Sequence, residues 1–202
     1  MMPRLVLASG SPRRREFLSG LDLTFEVMPA DIDETRLGGE LPEAYVARLC
    51  TAKAWRVSSV LNDDSAVVVA ADTTVAIDER VMEKPRTDAE GFEMLRSLSG
   101  RTHLALTGVA VQYRGQRRHC VVTTEVVFAT LTDDDINWYI GTGEGRDKAG
   151  GYGLQGRAAA FVRRLNGSVT NVVGLPLAEL VDLLADVGVP LSSLRTGTVT
   201  TE

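Results

Sequence analysis

Residues 4–15 read Arg4-Leu5-Val6-Leu7-Ala8-Ser9-Gly10-Ser11-Pro12-Arg13-Arg14-Arg15, and they predict a strand, a tight turn and the start of a helix. A short apolar run bounded by turn residues is typical of a buried strand. Ser11 suits the N-cap of the helix that follows, and Pro12 suits its first position, where a missing N–H costs nothing. The stretch therefore predicts a βα unit at the beginning of an α/β fold.

The turn in this unit has the properties of an anion site. Gly10 lets the backbone approach a ligand closely, and the free N–H groups of the new helix favour a negative group. The arginines at 13, 14 and 15 lie in the first helical turn, where the helix dipole disfavours positive charge. A phosphate would offset them, since it matches the guanidinium fork. The alternative is a solvated basic patch beside an ordinary βα turn.

The composition is that of a globular protein with an acidic balance. The chain has 202 residues, a length that suits one domain of good size or two small ones. Its net charge of −5 argues against broad nucleic-acid binding, so no nucleic-acid partner is expected. Cys50 and Cys120 favour a reduced, cytoplasmic protein, although one disulfide bridge between them stays open. The apolar runs are too short to span a bilayer or to form a signal peptide, so no membrane partner is expected.

Residues 42–61 predict a long helix with one apolar face, on which Val46, Leu49, Cys50 and Val57 recur at helical spacing. Lys53 falls on the same face. A lysine in such a place usually extends its ammonium group to the edge of the apolar surface. The alternative is that Lys53 points into a site and holds a phosphate.

The apolar run at 65–71 predicts a strand that is buried on both faces. Asp72-Thr73-Thr74 then stands at the C-terminal end of this strand, where open α/β sheets bind their ligands. A carboxylate in that position is costly unless it is paired, hydrogen-bonded or bound to a metal. A functional role for Asp72 is therefore favoured over an aspartate that caps a turn.

Two loops are candidates for a binding role. Residues 30–40 are polar and acidic and include Glu34, and they predict either a solvated loop or a lid that carries a metal ligand. Residues 141–156 contain seven glycines, too many for a regular helix. A flexible linker is one alternative there, but the interleaved Glu144, Asp147, Lys148 and Gln155 favour a binding loop.

The remaining segments predict strands, helices and a tail. Strands are expected at 24–29 and 161–165, in a hairpin formed by 102–113 and 117–129, and at 169–173. Helices are expected after Thr87, after Thr132 and over 176–187. Residues 191–202 have little to bury and are expected to fray.

Five motifs, in this order, resemble the Maf family of nucleoside triphosphate pyrophosphatases, and the resemblance extends from Leu5 to about Leu184. The motifs are Leu7-Ala8-Ser9-Gly10-Ser11-Pro12-Arg13-Arg14, Ala71-Asp72-Thr73, Glu83-Lys84-Pro85, Asp147-Lys148-Ala149-Gly150-Gly151-Tyr152-Gly153-Leu154-Gln155-Gly156 and Asn171-Val172-Val173-Gly174-Leu175-Pro176.

The resemblance implies a mixed, twisted sheet with flanking helices in two lobes around a cleft, an α/β fold related to that of inosine triphosphate pyrophosphatases. Residues 1–190 would form this domain. The resemblance further implies hydrolysis of nucleoside triphosphates to the monophosphate and pyrophosphate with a divalent metal, Mg²⁺ or Mn²⁺, and a role in removing non-standard nucleotides. A cytoplasmic homodimer is the family expectation.

Residues that match the family's motifs have implied roles. Asp72 corresponds to the catalytic aspartate, as proton acceptor or metal partner, and Glu34 corresponds to an acidic residue implicated in metal binding. Lys53 and Lys84 correspond to lysines of the phosphate site. The first motif is expected to contact the substrate phosphates through Ser9, Ser11, Arg13 and Arg14. The positions that set base preference hold residue types that resemble the pyrimidine branch, which acts on dTTP and UTP, and these residues are Arg13, Thr73 and Gln155.

Two other functions were weighed against hydrolysis. One is a nucleotide-binding regulator of cell division with little turnover, but Asp72 and Glu34 would repel a triphosphate unless a metal intervened. The other is a kinase, which is disfavoured because the sequence has no Gly-x-x-x-x-Gly-Lys-Ser/Thr loop.

Overall fold

The computed structural model describes residues 3–195, and these form a seven-stranded sheet with helices on both faces. The strands are β1 (Arg4–Leu7), β2 (Glu26–Val27), β3 (Ala66–Ile77), β4 (Arg80–Met82), β5 (Thr102–Tyr113), β6 (Gln116–Phe128) and β7 (Val162–Asn166). The helices are α1 (Pro12–Ser19), α2 (Pro42–Leu61), α3 (Asp88–Leu98), α4 (Asp133–Gly141), α5 (Val169–Val173) and α6 (Leu177–Asp186).

The sheet is mixed. Its order is β2-β1-β3-β5-β6-β7, with β4 paired to β3. β1 runs parallel to β2 and to β3, whereas every pair from β3 onward is antiparallel. The predicted mixed α/β fold is therefore confirmed, and it begins with the strand, turn and helix that residues 4–15 predict.

Helices cover both faces because alternate residues of each strand point to opposite sides of the sheet. On one face, Leu5 and Val67 pack in a cluster with Leu184 of α6. On the other face, Val68 packs with Ala54 of α2. Both faces of β1 and β3 are thus buried, which explains their continuous apolar runs.

A second core lies at the far end of the long strands. Leu95 and Leu98 of α3 and Ile136 of α4 pack there with Val75 and Phe128. The first core uses β3 up to Ala71 and the second uses it from Val75 onward. Residues 72–74 lie between the two cores, as expected for a cleft between two lobes.

The predicted place of Asp72 at the end of a strand is wrong. β3 continues to Ile77, because β5 pairs with it from Val68 to Ala76 and carries the hydrogen-bonded ladder past Asp72. The opposite edge of β3 is interrupted instead. On that edge β1 pairs with β3 up to Val69, and β4 pairs with β3 from Val75 onward. Residues 70–74 between them therefore have no strand partner on that edge within the described residues 3–195.

Gly108 brings α2 close to the sheet beside this gap. It lies on β5 directly opposite Asp72. A Cβ atom at Gly108 would lie 2.4 Å from the carbonyl oxygen of Val46 and 2.9 Å from Cys50 Sγ, both in α2. Only glycine allows so close an approach, and Lys53 follows Cys50 by about one helical turn. The side chain of Lys53 is thereby brought level with Asp72.

Three other predictions need correction. Residues 169–173 are not a strand but helix α5, because the Ser168 hydroxyl accepts a hydrogen bond from the Asn171 N–H and caps the turn. The strand expected at 24–29 shrinks to Glu26–Val27. The tail does not fray from 191, since Leu194 is buried and Arg195 bridges to Leu23, and residues 196–202 lie outside the described part of the chain.

None of the helices within residues 3–195 has the length and apolar character needed to cross a membrane.

Candidate active site

A cleft of 740 Å³ opens at the gap in the edge of β3. It is lined by the β1–α1 turn, the loop at 30–40, α2, β3 and the glycine-rich loop. Every residue predicted for the site lines it, namely Ser9, Ser11, Arg13, Arg14, Glu34, Lys53, Asp72, Thr73, Lys84 and Gln155. Their location together is thus established, while their roles stay predictions.

The residues that line the cleft carry a positive net charge, whereas the whole chain carries a negative one. Among these residues the cations outnumber the anions, although the chain as a whole has a net charge of −5. The cations are Arg13, Arg14, Arg36, Lys53, Lys84 and Lys148, and the anions are Glu34, Asp72, Glu83 and Asp147. A concave site with an excess of one charge concentrates ligands of the opposite charge. The cleft is therefore suited to an anionic ligand.

Lys53 links the two predicted carboxylates. Its Nζ donates a hydrogen bond of 2.6 Å to Asp72 Oδ1 and lies 2.7 Å from Glu34 Oε1. The Asp72 side chain is 11% exposed, and burial raises the pKa of its carboxyl group although the Lys53 ammonium acts in the opposite direction. Lys53 thus points into the site instead of extending to the edge of the helix. Buried ionic groups in a cleft are characteristic of functional sites.

The loop that carries Glu34 is held by α2. The Tyr45 hydroxyl donates a hydrogen bond of 3.0 Å to the carbonyl oxygen of Glu34. The Arg48 guanidinium binds both carboxylate oxygens of Glu40, at 2.7 and 2.8 Å, and the carbonyl oxygen of Thr35. Arg48 also lowers the pKa of Glu40 to about 2. The loop is therefore fixed at Glu34 and at the residues that follow it, which positions that exposed carboxylate over Lys53.

Arg14 does more than face the cleft. Its guanidinium donates to the Gly174 carbonyl oxygen, the Ser9 hydroxyl and the Thr73 hydroxyl. Three of its five N–H groups are thus used inside the protein. Arg14 is predicted to contact the substrate phosphates. In the structure three of its N–H groups instead bond to protein atoms and connect α1 to β3 and to the end of α5. Arg13 lines the same cleft without a hydrogen bond to another described residue.

A buried hydroxyl chain continues from Thr73. The Thr107 hydroxyl donates to the carbonyl oxygen of Asn171 at 2.9 Å, so it must accept from Thr73 in their own 2.9 Å contact. Thr73 in turn accepts from Arg14. The Asn171 side chain donates to the Ala105 carbonyl oxygen and to the Thr124 hydroxyl. The network explains why the short helix α5 forms at residues whose pattern predicts a strand.

The glycine-rich loop folds around Glu144. The Glu144 carboxylate accepts hydrogen bonds from the Tyr139 hydroxyl and the Arg157 N–H. A Cβ atom at Gly156 would lie 1.9 Å from Glu144 Oε1, so the loop closes on this carboxylate only with glycine there. Lys148 bonds to the Glu144 carbonyl oxygen and to Asp147. These contacts give the loop a defined fold at the cleft, with Gln155 exposed, instead of a flexible linker, and its binding role stays a prediction.

The family model described as "Maf-like protein" matches residues 4–187. The chain belongs to the Maf family. A protein of Anaeromyxobacter dehalogenans named dTTP/UTP pyrophosphatase is 51% identical over 195 residues, which cover 95% of this chain and 97% of that protein. One of Myxococcus xanthus with the same name is 50% identical over 93% of this chain and 94% of its own length.

Among solved structures, the Ham1 protein of Staphylococcus aureus is similar to this Maf chain with a TM-score of 0.46 and 15% identity. The match covers 62% of this chain and 72% of that one. The fold class rests on the sheet and helices described above and not on this likeness.

The carboxylates of this Maf protein fit one kind of metal site. Asp72 and Glu34 supply oxygen donors, which Mg²⁺ and Mn²⁺ prefer. Within residues 3–195, no group of three or more His, Cys, Asp or Glu side chains could hold a metal. Mg²⁺ is usually bound through one or two carboxylates together with substrate phosphates. The residues therefore fit a metal held jointly with a phosphorylated ligand.

Sequence reasoning missed two parts of the Maf site. Tyr45 and Arg48 lie on α2 at positions that the apolar pattern does not distinguish, and they fix the loop of Glu34. Lys148 is predicted from the sequence only as one of the polar side chains of a binding loop, and the structure adds it to the cations of the cleft. For Lys148, the signal in the sequence is the run of charged residues in the glycine-rich loop.

His103 contacts the glycine-rich loop through Tyr152. It is 2% exposed, and its Nε2 lies 2.7 Å from the Tyr152 hydroxyl, while its Nδ1 is buried with no hydrogen-bond partner among residues 3–195. Burial lowers the pKa of His103 to about 4. An unfolded histidine binds its proton at about pH 6.5, so the unfolded state takes up a proton that the folded state does not. Acid therefore favours unfolding.

The free energy of unfolding is expected to fall by roughly 2 kcal/mol between pH 7 and pH 5 because of this one group. Urea denaturation at the two pH values measures it. His103→Gln keeps a polar partner for Tyr152 but does not titrate, and it should remove most of the pH dependence. His119→Gln is the matched control, since His119 is exposed, and it should leave the dependence unchanged. An equal pH dependence in wild type and His103→Gln would contradict this assignment.

Proposed function

We propose that this chain hydrolyses nucleoside triphosphates, with dTTP and UTP as substrates, to the nucleoside monophosphate and pyrophosphate. The observation that carries the proposal is the buried Lys53–Asp72 pair with Glu34 beside it, in a cleft of positive net charge. Relatives that are 51% and 50% identical to this chain over most of its length carry the name dTTP/UTP pyrophosphatase, which supports the proposal. Removal of unwanted pyrimidine nucleotides is the role that such an activity would serve.

Substrate binding rests on charge. Arg13, Lys84 and Lys148 face the cleft and can neutralise a triphosphate, together with the N–H groups at the start of α1. Ser11 occupies the N-cap position, but its side chain makes no capping bond, so its hydroxyl remains available to a ligand. Gln155 has one donor and one acceptor group, a combination suited to the edge of a pyrimidine base.

The chemical step assigned to Asp72 is proton transfer. Lys53 occupies Asp72 Oδ1, and Oδ2 has no hydrogen-bond partner among residues 3–195. A water molecule attacks the α-phosphorus, its proton passes to Asp72 Oδ2, and the bond from the α-phosphorus to the bridging oxygen breaks as pyrophosphate leaves. The raised pKa of Asp72 makes it a better proton acceptor near neutral pH.

A divalent metal would be held by Glu34 together with the substrate phosphates, and Asp72 would be a second ligand only where it does not serve as the proton acceptor. When bound, it supplies charge neutralisation at the phosphates and polarisation of the phosphorus–oxygen bonds.

The test is pyrophosphate release from dTTP, UTP, CTP, dATP and dGTP, with Mg²⁺, with Mn²⁺ and with a chelator. We expect dTTP and UTP to be cleaved at least roughly tenfold faster than the purine nucleotides, with one pyrophosphate for each monophosphate and no release in the chelator. Preference for purines would retain the reaction and discard the pyrimidine assignment of Arg13, Thr73 and Gln155. Tight binding without any release would favour the regulator of cell division instead.

A further inference from the structure

A second groove lies on the α2 side of the sheet, with a volume of 280 Å³. Its floor is formed by Ala110 and Gln112 of β5, one wall by Trp55 of α2, and the other wall by Arg117 and His119 of β6. None of these residues lines the Asp72 cleft.

The groove and the cleft lie on different sides of α2. Lys53 and Trp55 are two residues apart, so their side chains leave the helix about 200° from each other. Lys53 points to Asp72. Val121 of β6 packs against α2, and alternate strand residues share a face, so His119 and Arg117 lie on the α2 face of the sheet as well.

The charged residues that line the groove are basic. Its lining includes Arg48, Arg117 and Arg118, and no acidic residue lines it, although the chain carries a net charge of −5. Arg48 is engaged with Glu40. Neither Arg117 nor Arg118 lies within 4.0 Å of a carboxylate oxygen in the part of the chain that the structure describes. Because strand residues alternate, Arg118 lies on the opposite face of β6, where its guanidinium donates to the Arg117 carbonyl oxygen. Arg117 is thus an arginine of the groove without a counter-charge, which favours an anionic ligand.

An aromatic face accompanies this charge. Trp55 is 51% exposed, so its indole is accessible to a ligand in the groove. An exposed indole beside arginines is an arrangement that stacks a nucleobase while the phosphates are neutralised. The volume is near the lower limit of about 300 Å³ for ligand pockets, so it suits one nucleotide better than a strand.

A simpler explanation covers only part of these observations. Within residues 3–195, β6 has no strand partner beyond β5 before Glu125, where β7 begins to pair with it. Charged side chains on an exposed edge prevent strands of two molecules from pairing. This explains Arg117 and Arg118, but it does not explain the concave groove or the exposed Trp55 on the neighbouring helix.

We propose that this groove binds a nucleoside phosphate at a second site, with the base stacked on Trp55 and the phosphate held by Arg117 and His119. The site does not depend on the activity proposed for the Asp72 cleft.

The experiment uses tryptophan fluorescence, since Trp55 and Trp138 are the two tryptophans of the chain. In the full-length Trp138→Phe variant, titration with UMP should quench Trp55 in a saturable manner. Uridine and inorganic phosphate should each bind roughly tenfold or more weakly, because each lacks one of the two recognised groups.

The double variant Arg117→Ala/Arg118→Ala should weaken UMP binding by roughly tenfold or more. The matched control is Arg163→Ala/Arg164→Ala, an exposed arginine pair on β7 outside both cavities, which should stay within about twofold of the parent protein. Turnover of UTP serves as the check that the Asp72 cleft is intact in both.

Three results would overturn the proposal. The first is quenching that does not saturate or that survives Arg117→Ala/Arg118→Ala. The second is an oligouridylate that binds more tightly than UMP, which would replace the free nucleotide by a strand. The third is an Arg117→Ala/Arg118→Ala variant that still binds UMP but sediments with a larger mass than the parent protein. The arginines would then serve to prevent pairing between the exposed edge strands of two molecules. Each of these results leaves the proposed hydrolysis in the Asp72 cleft untouched.

Discussion

Asp72→Asn is expected to lower kcat for pyrophosphate release from UTP by about 10²–10⁴-fold, the usual range for loss of a general base. Asparagine has nearly the shape of aspartate and can still accept a hydrogen bond from Lys53, so the cleft should keep its form. It cannot take a proton from water at neutral pH. The measurement is steady-state turnover at saturating UTP and metal, together with the apparent KM.

The control for this variant is Asp78→Asn, which removes an exposed carboxylate paired with Arg101 away from the cleft. It should leave turnover unchanged. If Asp72→Asn retains turnover within about threefold of wild type, Asp72 is not the proton acceptor and the mechanism proposed here is wrong.

Lys53→Met is expected to destabilise the fold by about 3–5 kcal/mol at pH 8, because it leaves the buried Asp72 carboxylate without its cation. The side chains of Lys53 and Asp72 are 10% and 11% exposed, so water does little to replace the lost ammonium group. Glu34 also loses its partner, but its side chain is 50% exposed and adds little to this cost. Urea denaturation at pH 8 measures the free energy of unfolding.

The cause can be separated from simple loss of packing by a double variant. Lys53→Met/Asp72→Asn removes both charges of the buried pair, so it should recover much of the stability that Lys53→Met loses. Lys84→Met is the matched control, since Lys84 lines the same cleft but is exposed and forms no ion pair with a described residue, and it should change stability by less than about 0.5 kcal/mol. A Lys53→Met protein as stable as wild type would show that Asp72 is not charged in the folded state.

The sequence predicted which residues line the cleft better than it predicted the strands around them. Asp72 was selected because a carboxylate after an apolar strand is costly, and that reasoning holds, since the carboxylate is buried and paired with Lys53. Its place at a strand end was wrong, because strand ends depend on the neighbouring strands. β5 extends β3 past Asp72, and the opening lies instead where β1 has ended and β4 has not begun.

Helix α5 shows a second limit of local patterns. The β-branched residues Val169, Thr170 and Val173 predict a strand. The segment is helical because Ser168 caps it and because Asn171 bonds to Ala105 and Thr124 on other strands. Such tertiary contacts override local propensity, and no pattern within the segment reveals them.

The sequence by itself determined the elements whose cause is local: the β1–α1 turn at Ser11 and Pro12, the amphipathic helix α2 with Lys53 on its buried face, and the 102–128 hairpin. Only the tertiary structure decided which side chains meet. Lys53 reaches Asp72 because Gly108 lets α2 approach the sheet, and Arg14 reaches Thr73 because β3 has an open edge there. The physical reason is that turns, caps and apolar periodicity act over a few residues, whereas a cleft is formed by pairing between segments far apart in the chain.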